Sequence, residues 1–577
     1  MRLLTWVRFA LLACCVAAAG CGPQDATVGN EVALSPTLVP IFLPQPQLPG
    51  LSAIDPTAFT VTGFVNFERV VLPLTAPNTF GGAILVTSAA RFISVEARDA
   101  KGNAVSPRVA TDANGAFTIK IKPDTDFFVV FLASTLASNG RVNAEVRAPV
   151  SLTPGASLPL YGEEFGAPDG NAIKGNVAGA VKRFSPIALS VFPTDIRASG
   201  PFAILDSALQ ASDTVRAVNN NVALPTMTYL WSPDPALDPG FSAFSPDGTA
   251  VGVPGPVTFI KGGDSDIDDT DEFDPDVIHH EYGHFTIHSL SRDSSLGGAH
   301  AADDVVYPTL AYSEGVANWF ATIVSTVPTL TDSVAITGPF AQGFEVLNLE
   351  TKLSPTLPRG RTSESSVGEI LWDITDGVEN RTDSDSDGVA LTFGTVVTAL
   401  RSLAGSIAYI VIDDVLQALV SQGALTAAQV QALLNAPDNQ NILFAGGDVF
   451  PQALTLGTTA NDTCTTIAAV GGADTGVDSA NRFFKFDLPA QATVNVSLTL
   501  LGGATGLDSD GTHLGVVLLD SNNVSQTQST VQAPFQLLRA TLPSGRYYLS
   551  VSGRPDLTSG VASNVTSQTV PYTIIVQ

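Results

Sequence analysis

The pentapeptide HEYGH at residues 280–284 sets two histidines four positions apart, with a glutamate directly after the first. An α-helix brings such positions together on one face, one turn apart, whereas a strand would hold them about 13 Å apart. Asp274 and Pro275 supply the start of that helix, an N-cap acceptor followed by proline at the first helical position. A helix is therefore expected from Pro275 through the histidines. The chain has six histidines in 577 residues, and His279, His280 and His284 are three of them.

That spacing suits zinc. Imidazoles at i and i+4 reach one ion, and Glu281 falls beside the water such an ion activates, where it can take a proton. His284 and His288 share the spacing, but Phe285 stands where the base is needed, and His279 is out of phase with both registers. A catalytic zinc site has three protein ligands and an open position. The third is expected downstream in AYSEGVANWFATIVSTV, an almost wholly apolar helix with Glu314 near its start. A carboxylate on such a helix is costly unless it faces a cation. An exposed first turn, favoured by the helix dipole, is the alternative reading of Glu314.

Composition bounds the partners. Asp and Glu number 55 against 28 Lys and Arg, a net charge of -27. A chain this acidic repels a phosphate backbone, which excludes nucleic acid and favours divalent cations. Eight of the thirteen residues from Asp264 to Asp276 are acidic, an oxygen-rich run suited to calcium, with a solvated acidic loop as the alternative. DSDSDG at 383–388 is a weaker calcium-like loop that lacks the closing glutamate.

The first residues, MRLLTWVRFALLACCVAAAGCGPQ, read as an export signal: arginines, an apolar stretch, then small residues before Cys21. They resemble a bacterial lipoprotein processing site, which implies lipid at Cys21 as the only link to a membrane; cleavage near Ala19 by the general signal peptidase is the alternative. No later stretch reaches the ~18 uninterrupted apolar residues of a membrane-spanning helix. Three of four cysteines lie at or before Cys21, so no disulfide framework is possible and Cys464 is expected to be a buried small residue. Exported protein on a bacterial outer membrane or cell surface, or otherwise periplasmic or secreted, is the expected location.

Hydrophobic periodicity divides the rest. Residues 22–55 are Pro-rich and aperiodic, a tether. From 56 to 165 short β-prone runs alternate with turn signals such as Asn114-Gly115. From 171 to 455 helical patterns dominate, including SGPFAILDSALQASDTV and TAAQVQALL, with strand-like TMTYLW and PVTFIKGG between. PVTFIKGG is expected to be a sheet edge that pairs with substrate backbone. From 456 to 577 strands return, without a single glutamate.

HEYGH followed by SEGVANWFA, and then SVGEILWDITD at 366–376, resembles the gluzincin metallopeptidases, the thermolysin-like group, and within it the fungalysin-type enzymes. The resemblance covers roughly 200–380. It implies zinc on His280, His284 and Glu314, with Glu281 as general base that later returns its proton to the leaving amine. Two positions depart from the family pattern. Asn318 replaces a carboxylate four residues after Glu314, and Ser365 replaces a histidine expected to stabilise the oxyanion. Tyr312, Arg361 and His300 are the candidate replacements. The segment 56–165 resembles transthyretin-like, carboxypeptidase-regulatory-like β-sandwiches, and 456–577 resembles the prepeptidase carboxy-terminal β-sandwich.

The resulting expectation is a multidomain α+β protein, a zincin-like catalytic domain flanked by N-terminal and C-terminal β-sandwich domains. Its expected activity is zinc-dependent hydrolysis of peptide bonds in a protein or peptide substrate. A non-catalytic zinc-binding surface protein, an adhesin and an aminopeptidase stay open as alternatives.

Overall fold

A computed structural model describes residues 35–37 and 58–577, apart from 72–73, 77–78, 81–83, 136–141, 150–157, 168, 177–179, 185–186, 191–196, 219–223, 235, 238–239, 263–270, 299, 302–303, 335–342, 351–357, 383–387, 436–441, 467–476, 502–511, 531–534 and 556–567. The signal, Cys21, most of the tether, the aspartates of 264–269 and the DSDSD run lie outside the described residues.

The N-terminal part is two facing sheets organised by one long strand, Phe59–Val71. Its alternate residues Phe59, Val61, Val65 and Phe67 are fully buried, the period-2 signature of a strand with one face on a core. It pairs antiparallel with Ala116–Ile121 and Ile84–Ala89, and parallel with Val181–Arg183 and Ile187–Leu189. The facing sheet runs Ser35–Thr37, Gly162–Gly166, Phe128–Leu132, Ser94–Arg98, Val109–Ala110. Phe117 and Phe131 meet edge to face between the sheets with centroids 5.4 Å apart. The strands of this unit extend past residue 165, where the sequence pattern changes.

The central part is built on a four-stranded sheet of β1 (Ala144–Arg147), β2 (Met227–Trp231), β3 (Ala243–Ser245) and β4 (Val257–Ile260), in the order β1-β2-β4-β3. The first three in that order are parallel and β3 runs antiparallel at the edge. PVTFIKGG is thus an interior strand with neighbours on both sides, and the edge expected of it belongs to β3. Its near-continuous burial fits an interior strand, which is covered on both flanks.

Seven α-helices occur among the described residues: α1 (Gly200–Val218), α2 (Pro275–Leu290), α3 (Pro308–Ser325), α4 (Glu364–Thr375), α5 (Phe393–Ser402), α6 (Ile412–Ser421) and α7 (Ala427–Asn435). α1 packs on α2, α2 on α3 and α3 on α4. Proline stands at the start of α2 and α3, where a missing N–H costs nothing. α7 begins with the expected capping box, Thr426 and Gln429 bonding reciprocally. Thus mixed α+β architecture over several sheets is observed, as expected. None of the described helices is long and apolar enough to cross a membrane.

The C-terminal part is a second pair of sheets. One runs Gln452–Ala453, Asn481–Leu488, Gly545–Pro555, Thr512–Asp520, Ser525–Thr530; the other runs Thr459–Thr466, Gln568–Val576, Ala492–Leu500, Phe535–Leu542. Phe484, Leu549, Val496 and Ile574 from both sheets share one apolar core. Cys464 is buried in it, with Sγ 3.2 Å from the Ala480 carbonyl.

Candidate metal centre

α2 and α3 cross closely enough that side chains of both reach one point. The crossing needs Gly283, the glycine of HEYGH: a Cβ there would stand 2.8 Å from Ala317 Cα on α3. Gly315 does the same for α3 and α4, where a Cβ would lie 2.4 Å from Val367 Cβ. These two glycines bring His280 and His284 of α2 against Glu314 of α3, and bring Glu364 of α4 nearby.

His280 Nε2 and His284 Nε2 are 3.1 Å apart, and Glu314 Oε2 is 3.2 Å from the first and 3.1 Å from the second. The other nitrogen of each ring is engaged. Asn318 Oδ1 lies 2.8 Å from His280 Nδ1, and can only accept. Ser313 Oγ lies 3.1 Å from His284 Nδ1 and donates to Asp293 Oδ2 at 2.8 Å, so it accepts from the ring. In the neutral rings each Nδ1 therefore carries the proton and each Nε2 presents a lone pair. Without an ion, burial opposes charge on His284, but the charge and hydrogen bond of Glu314 outweigh it and raise the ring to about 9, so that a proton compensates the convergence; a bound cation would take that proton's place. Four ligands around zinc at its usual bond lengths have neighbouring atoms about 3.3 Å apart, so the donor set and its spacing fit that ion. Asn318 does what an outer-sphere carboxylate does elsewhere, orienting the ring, without adding charge.

Glu281 is 5% exposed, and its Oε2 has no hydrogen-bond partner. Burial raises its carboxyl, against the pull of His280 and His284, while the Phe244 backbone N–H bonds the carboxylate. Phe244 belongs to β3, and its ring lies nearly parallel to that of His284. The sheet edge and the general-base candidate therefore meet. For Glu314, burial pushes the carboxyl up, but the charges and hydrogen bonds of His284 and His280 outweigh it and hold it well below the usual range.

The other sequence candidates fall elsewhere. His288 is exposed and outside the cluster. His279 is buried, and burial holds it near 4, hence neutral. Arg361 is committed to Asp413 through two bonds of 2.6 and 2.8 Å. Tyr312 is fully buried on α3, among Asp293, Ser291 and Asp414. His300 alone of the three proposed donors adjoins the site, 3.9 Å from Glu314 Oε2. Ser313, Asp293, Phe244 and Glu364 carried no sequence signal beyond the first's place next to Glu314.

At the start of α2, Asp274 takes the N-cap position but spends its carboxylate on Ser333, accepting from its N–H at 3.1 Å and its hydroxyl at 2.5 Å. Asp271, Asp274 and Asp332 bring carboxylate oxygens close enough to hold a cation, so the calcium expectation narrows to this group among the described residues. Burial pushes Asp274 up to about 8, against the bonds from Ser333, with Asp332 adding repulsion.

No model of a known protein family matches the chain, and no curated protein sequence matches it. Solved structures similar to part of it include the pre-peptidase C-terminal domain of a collagenase from Bacillus anthracis, at 12% identity over 22% of this chain and 93% of that one, with a TM-score of 0.15. Another is CorA, a surface-associated copper-binding protein of Methylomicrobium album BG8, at 12% identity over 22% and 97%, with a TM-score of 0.16. A third is PliG of Aeromonas hydrophila, a periplasmic inhibitor of g-type lysozyme, at 11% identity over 22% and 93%, with a TM-score of 0.13.

Proposed function

We propose that this protein is an exported zinc-dependent peptidase of gluzincin type, with His280, His284 and Glu314 holding the metal and Glu281 as general base. The observation that carries the reading is the convergence of two imidazole Nε2 atoms and a carboxylate oxygen beside a buried glutamate whose Oε2 has no hydrogen-bond partner. Zinc bound there supplies a Lewis acid that polarises a peptide carbonyl and acidifies water.

The protein's own groups do the rest. Glu281, raised by burial, accepts the proton of the attacking water and hands it to the leaving amine. The Phe244 N–H bonds that carboxylate. The exposed edge of β3 offers backbone groups for an extended peptide to pair with, alongside His284. The Asn318 and Ser313–Asp293 contacts fix both rings before substrate arrives. His300, with Nε2 3.9 Å from Glu314 Oε2, is the candidate donor that adjoins the site, and its protonated ring would donate to oxyanion charge. A non-catalytic zinc protein would be expected to close the fourth position; neither His288 nor His300 joins the two motif histidines among the described residues, which favours the open, catalytic arrangement.

The test is cleavage of a mixed peptide library by the purified protein, with Glu281→Gln as matched control. Glu281→Gln is expected to lower kcat at least 100-fold with zinc content unchanged, and chelation to abolish cleavage until zinc is restored. Folded, zinc-loaded wild type that cleaves nothing would overturn the enzyme in favour of the binding protein.

A further inference from the structure

A second set of ligand atoms sits directly against the first and shares one residue with it. His300, from the loop between α2 and α3, lies with Nε2 3.1 Å from Glu364 Oε2 and 3.9 Å from Glu314 Oε2. Its Nδ1 is 2.9 Å from the Gly298 carbonyl, which can only accept. The proton of the neutral ring is therefore on Nδ1, and Nε2 presents a lone pair, the same arrangement as in His280 and His284 and the usual one for a ligating imidazole. Glu364 is 6% exposed, and among the described residues its Oε2 has no aligned hydrogen-bond donor; its one close cationic partner there is a protonated His300, whose proton a cation would replace. A neutral imidazole nitrogen and a carboxylate oxygen about 3 Å apart are spaced as ligands of a common ion are. Among the described residues no lysine or arginine forms an ion pair with Glu314 or Glu364.

The geometry points to a second divalent-cation site on His300, Glu364 and Glu314, with Glu314 bridging it to the site of His280 and His284. Each set keeps its ligand atoms within 4.8 Å of one another, and a carboxylate shared by two ions suits the roughly 3.5–4 Å separation of two-metal centres. One nitrogen and two oxygens suit zinc, cobalt or manganese. The site is the weaker of the two. It has three ligands, one of them shared, and His300 is more exposed than His284, so water completes its coordination. A cation there occupies His300 Nε2 and excludes the protonated ring that alone could donate to substrate from that nitrogen. The inference rests on the peptidase reading only in taking His280, His284 and Glu314 as the first site.

The experiment is zinc binding to the full, metal-stripped chain by equilibrium dialysis with elemental analysis. Two equivalents are expected, the second at least tenfold weaker. His300→Ala and Glu364→Gln, on different elements, should each leave one equivalent of unchanged affinity, with circular dichroism showing that each variant is folded. Cobalt loaded to two equivalents should show spin coupling that the one-equivalent sample lacks. One equivalent in the wild type, or two that survive in both variants, would overturn the second site and leave the peptidase standing. No bound zinc at all would overturn both.

Discussion

The two flanking sandwiches are alike in outline and opposite in how they attach. The N-terminal one shares a continuous apolar core with the helices: Phe59, Val129 and Phe131 belong to the same cluster as Ile278 of α2, Trp319 of α3 and Leu371 of α4. Its chain also donates β1 to the central sheet and takes back Val181–Arg183 and Ile187–Leu189. The C-terminal one keeps a core of its own and lends Phe483, Leu519 and Tyr548 to the shared one. It docks through discrete contacts: Tyr548 stacked on Tyr409 with centroids 3.7 Å apart, Tyr548 Oη donating to the Ile407 carbonyl at 2.5 Å, Arg292 to the Ser521 carbonyl, and Lys485 to Asp448. Shared strands make one folding unit, whereas docked faces leave two.

The largest expected effect follows from that difference. A chain that starts after residue 190 loses β1 and nearly a third of the shared core, and should fail to fold or to bind zinc. A chain that stops near residue 455 should fold and bind zinc with a lowered melting temperature. Circular dichroism and zinc titration of the two truncations decide it, and a zinc-competent N-terminal truncation would erase the contrast.

Leu549→Ala, at a fully buried position of the separate core, should cost about 2–5 kcal/mol in a C-terminal unfolding transition while zinc affinity stays put. Loss of zinc binding in that variant would show that the two cores are coupled.

A pH series separates the sandwiches more gently. Glu163, in the N-terminal one, is 5% exposed with an unpartnered Oε2, and burial pushes it to about 7. Because its folded pKa lies above the unfolded one, the neutral form favours folding. That stability is complete below about pH 4.5 and is lost as pH rises to about 7, up to about 3 kcal/mol in all. Denaturant titrations should show this slope in the wild type and its flattening in Glu163→Gln; an unchanged slope would remove Glu163 as its source. The smallest effect belongs to Tyr548→Phe, which deletes one docking hydrogen bond worth about 1 kcal/mol and keeps the ring stack; differential scanning calorimetry should find the two transitions drawn further apart.

Much of the centre was legible in the residues because helical order is local. Proline at the head of α2 and α3 and the capping box of α7 depend on neighbours within four positions, and each appears where the pattern puts it. Asp274 was legible as an N-cap position, but its carboxylate answers to Ser333, a residue distant in the chain. PVTFIKGG was legible as a strand but not as an interior one, since alternation says nothing of how many neighbours a strand has. β1 could not be assigned to the central sheet from AEVR alone, because a four-residue strand carries too little pattern to name its partner.

The sequence by itself determined that His280 and His284 share a helical face with Glu281 beside them, because a 3.6-residue period leaves no other arrangement. It also determined that nothing covalent would hold the body of the protein together, since one cysteine cannot form a bridge with itself. The tertiary structure decided what meets that face. Glu314, the Ser313–Asp293 relay, the Phe244 N–H and the His300–Glu364 pair come from separate elements. Their convergence depends on how closely α2, α3 and α4 approach, a distance set by packing at Gly283 and Gly315 rather than by any local period.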